Sequence, residues 1–282
     1  MPYMPKPFAL VIGLIALGLC CPGWGGAWTP GAGKAYLKLA SNHFSSNANY
    51  NGDGDLIDPF ADIEGSFSKF TDDHLSFYGE VGLTDRLALT GSLAYKEIKQ
   101  RTKTAFFDVA VENNGWADVE LGLTYQLTTG KHVFSVAGLA KLPYLYDEDE
   151  FFPLGNGQED FEGRLLYGTS LNRWFYAGLE AGYRFRLDEP SDEIRFQGEL
   201  GGSLARVYAR TKYRGIRSQG DLETGNSLNP ILNPSFDLDE WELTAGVRVL
   251  KNWYVEATWT DTVAGKNVAG GELVQVAVVL QL

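Results

Sequence analysis

The sequence predicts an all-β fold: a 12-stranded antiparallel transmembrane β-barrel with short periplasmic turns and longer extracellular loops. Three observations predict it. Segments mostly of ten to thirteen residues alternate apolar and polar side chains, the period-2 signature of strands with one apolar face. The connections between these segments alternate in length. The charged residues of the segments fall on one face, and aromatic residues gather near the segment ends.

The alternation is cleanest in four places. Over 119–127, Val119, Leu121, Leu123, Tyr125 and Leu127 alternate with Glu120, Gly122, Thr124 and Gln126. Over 175–185, Phe175, Ala177, Leu179, Ala181, Tyr183 and Phe185 alternate with Tyr176, Gly178, Glu180, Gly182 and Arg184. The stretch 241–249 behaves the same way, and Val274, Val276, Val278, Leu280 and Leu282 share a face at the end of the chain. The same pattern places twelve strands near 34–44, 72–82, 87–98, 117–127, 132–142, 159–171, 174–187, 194–204, 206–216, 237–249, 253–261 and 272–282. They exceed the five or six residues of an ordinary globular strand and match what a strand tilted at about 45° needs to cross a bilayer.

Short connections fall near 84–86, 128–130, 172–173, 205 and 251–252, and longer ones over 45–71, 99–116, 143–158, 188–193, 217–236 and 262–271. Five short and six longer links require twelve strands with both termini on the short-turn side. An even-stranded outer-membrane barrel has this asymmetry, and a soluble sandwich has no cause for it.

Which face meets lipid follows from charge. The polar face carries Glu80, Lys96, Glu120, Arg164, Glu180, Arg184, Arg195, Glu199, Arg210, Lys212, Glu242, Arg248 and Glu256, whereas the other face is almost free of charge. Tyr125, Phe175 and Trp253 lie by the short turns, and Tyr95, Tyr183, Tyr213, Trp241 and Trp259 by the long loops. Two aromatic rows bracketing an apolar band are interfacial girdles. The thirteen charged residues are therefore expected to line the lumen. Arg184, Arg195, Arg210 and Lys212 come from neighbouring strands, so a basic wall facing an acidic one is expected, with a transverse field across the pore. Twelve strands lie between the filled interior of eight and the open channel of sixteen, so the same charges equally suit an ion-pair network filling the interior.

Composition narrows the class further. The 282 residues include 33 Gly and 13% aromatics but only two Cys and three His, against a helical enzyme or a His-rich metal site. A formal charge of −12 argues against nucleic-acid partners, which call for a basic surface. Residues 1–27 read as a signal peptide: Lys6 supplies the positive region, Phe8 to Leu19 the apolar core, and Gly25-Gly26-Ala27 the cut. Cleavage leaves one domain, 28–282, with no cysteine.

Four segments work as a set: 75–87 (LSFYGEVGLTDRL), 117–125 (ADVELGLTY), 238–247 (LDEWELTAGV) and 250–257 (LKNWYVEA). Together they resemble the bacterial outer-membrane proteins of the "MetA-pathway of phenol degradation" family, over nearly all of the mature chain. The resemblance implies an outer-membrane barrel that passes small, often hydrophobic or aromatic compounds. Such barrels usually end in Phe or Trp, read by the assembly machinery; this chain ends in Leu282, so weaker insertion signalling is expected.

The functional expectation is a monomeric outer-membrane channel for small solutes, its partners being lipid, solute and the assembly machinery. The alternative is a non-conducting structural or surface-binding barrel; an outer-membrane hydrolase is a third reading. No enzyme activity, cofactor or metal is expected. Asn51, Asp53 and Asp55 have calcium-loop spacing, but Leu56 and Asp62 stand where an EF-hand needs Gly and Glu. Asp147 to Glu150 reads as a solvated acidic loop. His43, His74 and His132 are the only imidazoles, no Gly-x-Ser-x-Gly is present, and Ser76 near His74 is the nearest approach to a nucleophile pair.

Overall fold

The computed structural model describes residues 26–187, 191–220, 233 and 235–282. The expected leader, apart from Gly26 and Ala27, and most of the 217–236 loop lie outside the described residues. Fourteen strands run in order among them: β1 (Ala35–Tyr50), β2 (Leu56–Ile57), β3 (Phe67–Gly82), β4 (Leu87–Lys103), β5 (Asp108–Trp116), β6 (Val119–Gln126) and β7 (His132–Leu142). They continue with β8 (Asp160–Ser170), β9 (Phe175–Arg186), β10 (Glu193–Leu204), β11 (Val207–Ser218), β12 (Asp237–Arg248), β13 (Trp253–Lys266) and β14 (Val268–Gln281).

Twelve staves close into an antiparallel barrel. Each pairs with its neighbours in chain order, and β14 returns to β1 over Tyr36–Tyr50. The two-residue β2 only caps β1. β5 and β6 share one stave, because both pair with β4, above and below a break. At that break Leu93 and Ala94 face three residues, Ala117 to Val119. The extra residue is a bulge that turns Asp118 towards the interior.

All twelve expected segments are staves, but the ladder continues well beyond several of them on the loop side. The expected loop 99–116 is a hairpin of β4 and β5, held outside by Lys99–Glu112 (2.7 Å) and Arg101–Asp108 (2.8 Å). The expected loop 262–271 is strand on both sides of a turn at Asn267, whose φ of 51° is left-handed. The β4–β5 extension escapes apolar patterning because its outward face carries Lys99, Arg101, Asp108 and Glu112 instead of apolar side chains.

The turns on the other side are fixed by side-chain acceptors. Thr84 Oγ1 accepts from the Arg86 and Leu87 amides (3.2 and 3.0 Å), and Asn172 Oδ1 from Trp174 and Phe175 (2.8 and 3.0 Å). These are ST and Asx turns. Odd and even residues of a strand lie on opposite faces, with register shifts only towards the loop side, between Ser46 and Ala48 and between Asp239 and Glu240. Leu121, Leu179, Leu243 and Val276 point outward at 47%, 59%, 46% and 54% exposure, while Glu80, Glu242 and Glu256 are buried inside. A closed barrel with an apolar exterior and a charged interior is a membrane-spanning fold.

Candidate functional site: the barrel interior

The interior is built in layers, from the short-turn end upward. Before β1 the chain enters the barrel as a strap, residues 26–34. Thr29 N and Oγ1 donate to Gln126 Oε1 (3.1 and 3.2 Å), and Ser135 Oγ donates to the Ala27 carbonyl (2.5 Å). Ala27 is buried with Val133 and Leu166. Trp28 stands edge-on to Tyr176 at 5.7 Å. Two glycines make this possible. A Cβ on Gly82 would lie 2.1 Å from the Gly31 carbonyl, and one on Gly168 would lie 2.5 Å from the Trp28 ring. Beside the strap, Tyr36, Tyr254 and Val279 cluster with Tyr208, whose hydroxyl donates to Glu256. Lys38 Nζ is 2.8 Å from the same carboxylate.

The middle layer encloses a cavity of about 540 Å³, which Glu80 and Glu180 border. Arg210 lies 3.6 Å from Glu242, Lys212 lies 3.6 Å from Glu199, and Arg164 bonds Glu162 at 2.5 Å. Above it a second cavity of about 520 Å³ is walled by Lys96, Glu120, Lys141, Arg184 and Arg195, among others. Arg184 reaches three carboxylates, Glu162 at 2.8 Å, Glu120 at 3.1 Å and Asp160 at 3.4 Å. Lys141 meets Asp160 at 3.0 Å, and Lys96 meets Asp72 at 2.8 Å.

Segment 143–159 folds down over this cavity. Phe152 and Leu154 are buried against Phe70 and Ile98, and Asn113 Nδ2 donates to the Phe152 carbonyl (3.0 Å). The Tyr146 hydroxyl bonds Asp118 at 2.7 Å; its own burial, then that carboxylate, pushes the phenol pKa up. Segment 52–66, by contrast, leaves Leu56, Ile57 and Ile63 exposed.

All thirteen charged residues expected on the polar face stand on inward-facing positions. Arg248 lies apart at the short-turn end of β12, where its amide bonds the Arg206 carbonyl at 2.7 Å. The expected segregation into a basic and an acidic wall is corrected by the register. Arg184 sits directly opposite Glu162, Lys212 opposite both Glu199 and Glu242, and Arg214 opposite Glu240. β8, β9, β10 and β12 each carry both signs. Charge is therefore compensated between adjacent strands, where cross-strand partners are closest, and the transverse field is short-ranged.

The sequence reading missed the strap residue Trp28, the inner phenols Tyr36, Tyr176 and Tyr208, and the buried Asp160 and Glu193. The phenols have the parity of the charged face, a signal that was present. Asp160 and Glu193 sit at the first positions of β8 and β10, where alternation is weakest. His74 pairs with Asp72 (2.8 Å) while Ser76 accepts from Asn42 (2.9 Å), so these two side chains have separate partners. Asn51 Oδ1 accepts from the Asp53 and Asp55 amides (3.0 and 2.8 Å), which spends it on its own turn.

The chain's architecture matches solved outer-membrane barrels. An outer-membrane channel from Pseudomonas putida F1 superposes with a TM-score of 0.66 at 12% identity, covering 93% of this chain and 100% of that one. The NanC porin gives 0.55 at 9% identity, covering 87% and 100%. The toluene transporter TbuX of Ralstonia pickettii gives 0.50 at 10% identity, covering 92% and 96%. A scan of protein-family models gives no match, and neither does a sequence search of curated proteins. What the three structures share with this chain is the outer-membrane β-barrel fold.

Proposed function

We propose that the protein is a monomeric outer-membrane channel that passes small solutes, hydrophobic or aromatic compounds among them, with no catalytic role and no cofactor. The observation that carries this reading is the pair of interior cavities, of about 540 and 520 Å³. They lie one above the other along the barrel axis and are walled by paired charges rather than filled by apolar side chains. Inner rings at Trp28, Tyr36, Tyr176 and Tyr208 supply flat apolar surfaces beside that water-accessible path. The named toluene transporter, whose fold this chain shares, supports an aromatic solute. Membership of the MetA-pathway family belongs to the same proposal and is supported by the four segments quoted above. So does delivery by a leader cut after Ala27, with the assembly machinery and lipid as partners; that cut would shorten the strap to 28–34, removing the Ser135–Ala27 hydrogen bond, and would leave the Trp28 ammonium inside the barrel mouth.

A second reading, a non-conducting barrel, is favoured by one specific arrangement. The strap at one end and Phe152 with Leu154 at the other both cover the lumen. Reconstitution into planar bilayers, alongside swelling of liposomes in small solutes, separates the two. Discrete current steps and solute-dependent swelling are expected; total absence of both would leave the non-conducting barrel.

A further inference from the structure

The outer cavity carries a feature that the ion-pair network does not explain. Arg186, on β9, is only 9% exposed, and its Nη2 donates to Glu193. Among the described residues, its Nε and Nη1 are buried with no hydrogen-bond partner, and so is Asp160 Oδ1. The Nε lies 3.8 Å from that oxygen, outside hydrogen-bonding range. Asp160 lies on the Nε side, and the Arg186 side chain borders the outer cavity, so Nη1 meets a solute once the guanidinium turns towards that cavity. An unsatisfied buried guanidinium donor is costly, and water or a bound acceptor relieves it.

The surroundings say what would bind. Five cations reach the wall of this cavity: Lys96, Lys141, Arg184, Arg186 and Arg195. Only three carboxylates do, Asp118, Glu120 and Asp160; Asp72 bonds Lys96, and Glu162 and Glu193 bond the arginines, without bordering the cavity. The central cavity lacks this bias, since the five carboxylates bordering it balance five lysines and arginines. The rest of the outer wall sets apolar and aromatic side chains, Tyr78, Leu154 and Phe236 among them, beside Ser76, Ser92 and Asn156. About 520 Å³ falls within the usual range for a small-molecule site. The three nearby carboxylates disfavour a second negative charge on the ligand, so a phosphate dianion fits poorly and a monoanion fits well.

We propose that the outer cavity is a binding subsite for a small organic monocarboxylate with an apolar body. Its carboxylate accepts from Arg186, Arg195 adds a second cation, and its body rests on Leu154, Tyr78 and Phe236. This deepens the channel reading and rests on it for the route by which solute arrives.

The test uses the full-length protein in detergent and in bilayers, with benzoate as the probe and benzyl alcohol as its uncharged counterpart. Calorimetry should show saturable benzoate binding, and none of comparable strength for benzyl alcohol. Benzoate should also reduce the single-channel current in a concentration-dependent way. Arg186→Gln should weaken benzoate binding by about tenfold or more, the scale of one charge-assisted hydrogen bond, with Arg186→Lys retaining part of it. Arg195→Gln, on a more exposed side chain, should weaken binding less and keeps the test intact if Arg186→Gln fails to assemble. Benzoate binding no tighter than benzyl alcohol, or unchanged in assembled Arg186→Gln and Arg195→Gln, overturns the subsite and leaves the cavity to solvent. A conducting protein without benzoate binding refutes the subsite alone. A non-conducting protein whose benzoate binding depends on Arg186 refutes the channel alone.

Discussion

Leu179 and Gly178 are adjacent in β9 and face opposite media, so introducing the same side chain at each isolates the orientation of the barrel wall. Leu179 projects outward at 59% exposure, near mid-strand, paired across to Tyr167 and Gly198. Arginine there would place a guanidinium in hydrocarbon, at ~2–4 kcal/mol for a charge near the bilayer midplane. That corresponds to a factor of roughly 30 to 1,000 in the folding equilibrium. Gly178 projects inward, and a Cβ added there would meet only the Tyr167 carbonyl, at an ordinary 3.7 Å. Arginine at 178 would extend into the central cavity beside Glu199, its cross-strand partner position. It should cost little and should narrow the lumen. The assay is urea-dependent folding into lipid vesicles, followed by the mobility shift of the folded barrel on gels. Leu179→Arg should lower the midpoint strongly and Gly178→Arg barely. Equal midpoints would refute the inside–outside assignment of β9, and a reversed order would mean a one-residue slip of its register.

Other side chains give contrasting expectations. Arg184→Gln would leave Glu120, Asp160 and Glu162 short of their shared cation, and removal of one member of a buried set costs ~3–5 kcal/mol; the vesicle-folding midpoint should fall accordingly, and an unchanged midpoint would show that water already screens the group. Arg101→Ala, on the exposed β4–β5 hairpin, should leave that midpoint unmoved, because solvent screens exposed pairs. Arg101 holds the Asp108 carboxyl below its usual range, so whatever the pair adds is present above the ordinary carboxylate pKa and fades as pH falls through the lowered one; a drop in the midpoint at neutral pH would contradict this. Trp28→Ala withdraws the ring that stands against Tyr176 and should raise single-channel conductance without altering the assembled fraction. Unaltered conductance would show that the strap does not set the constriction.

The strand map was legible because membrane strands repeat one simple rule, apolar outward and polar inward, over enough residues to fix their register. Leu121 against Glu120, and Leu243 against Glu242, already carried the facing of their staves. The short turns were legible too, since Thr84 and Asn172 are residue types that cap their own turns. What was not legible depends on contacts distant in sequence. Whether Arg184 belongs to a basic wall or to a cluster with Glu162 depends on the β8–β9 register, which alternation alone leaves free. Which long loop covers the lumen is equally unreadable: 143–159 does, while 52–66 leaves Leu56, Ile57 and Ile63 exposed. Phe152 and Leu154 have no periodicity to announce them, and their burial depends on Phe70 and Ile98 from two other staves. The strap went unread because Gly26, Ala27 and Trp28 also look like the end of a leader.

The central claim is that the charged face of the wall borders a water-filled lumen while the opposite face meets lipid. Single cysteines placed along 175–185 test it most directly, since the chain beyond Cys21 contains no other cysteine. Each variant would be exposed in reconstituted bilayers to a membrane-impermeant charged thiol reagent while current is recorded. Cysteine at 176, 178, 180, 182 and 184 should react and reduce the current, and cysteine at 175, 177, 179, 181, 183 and 185 should react only with a lipid-soluble reagent. Labelling that fails to alternate, or current reduced from the odd positions, would contradict the account.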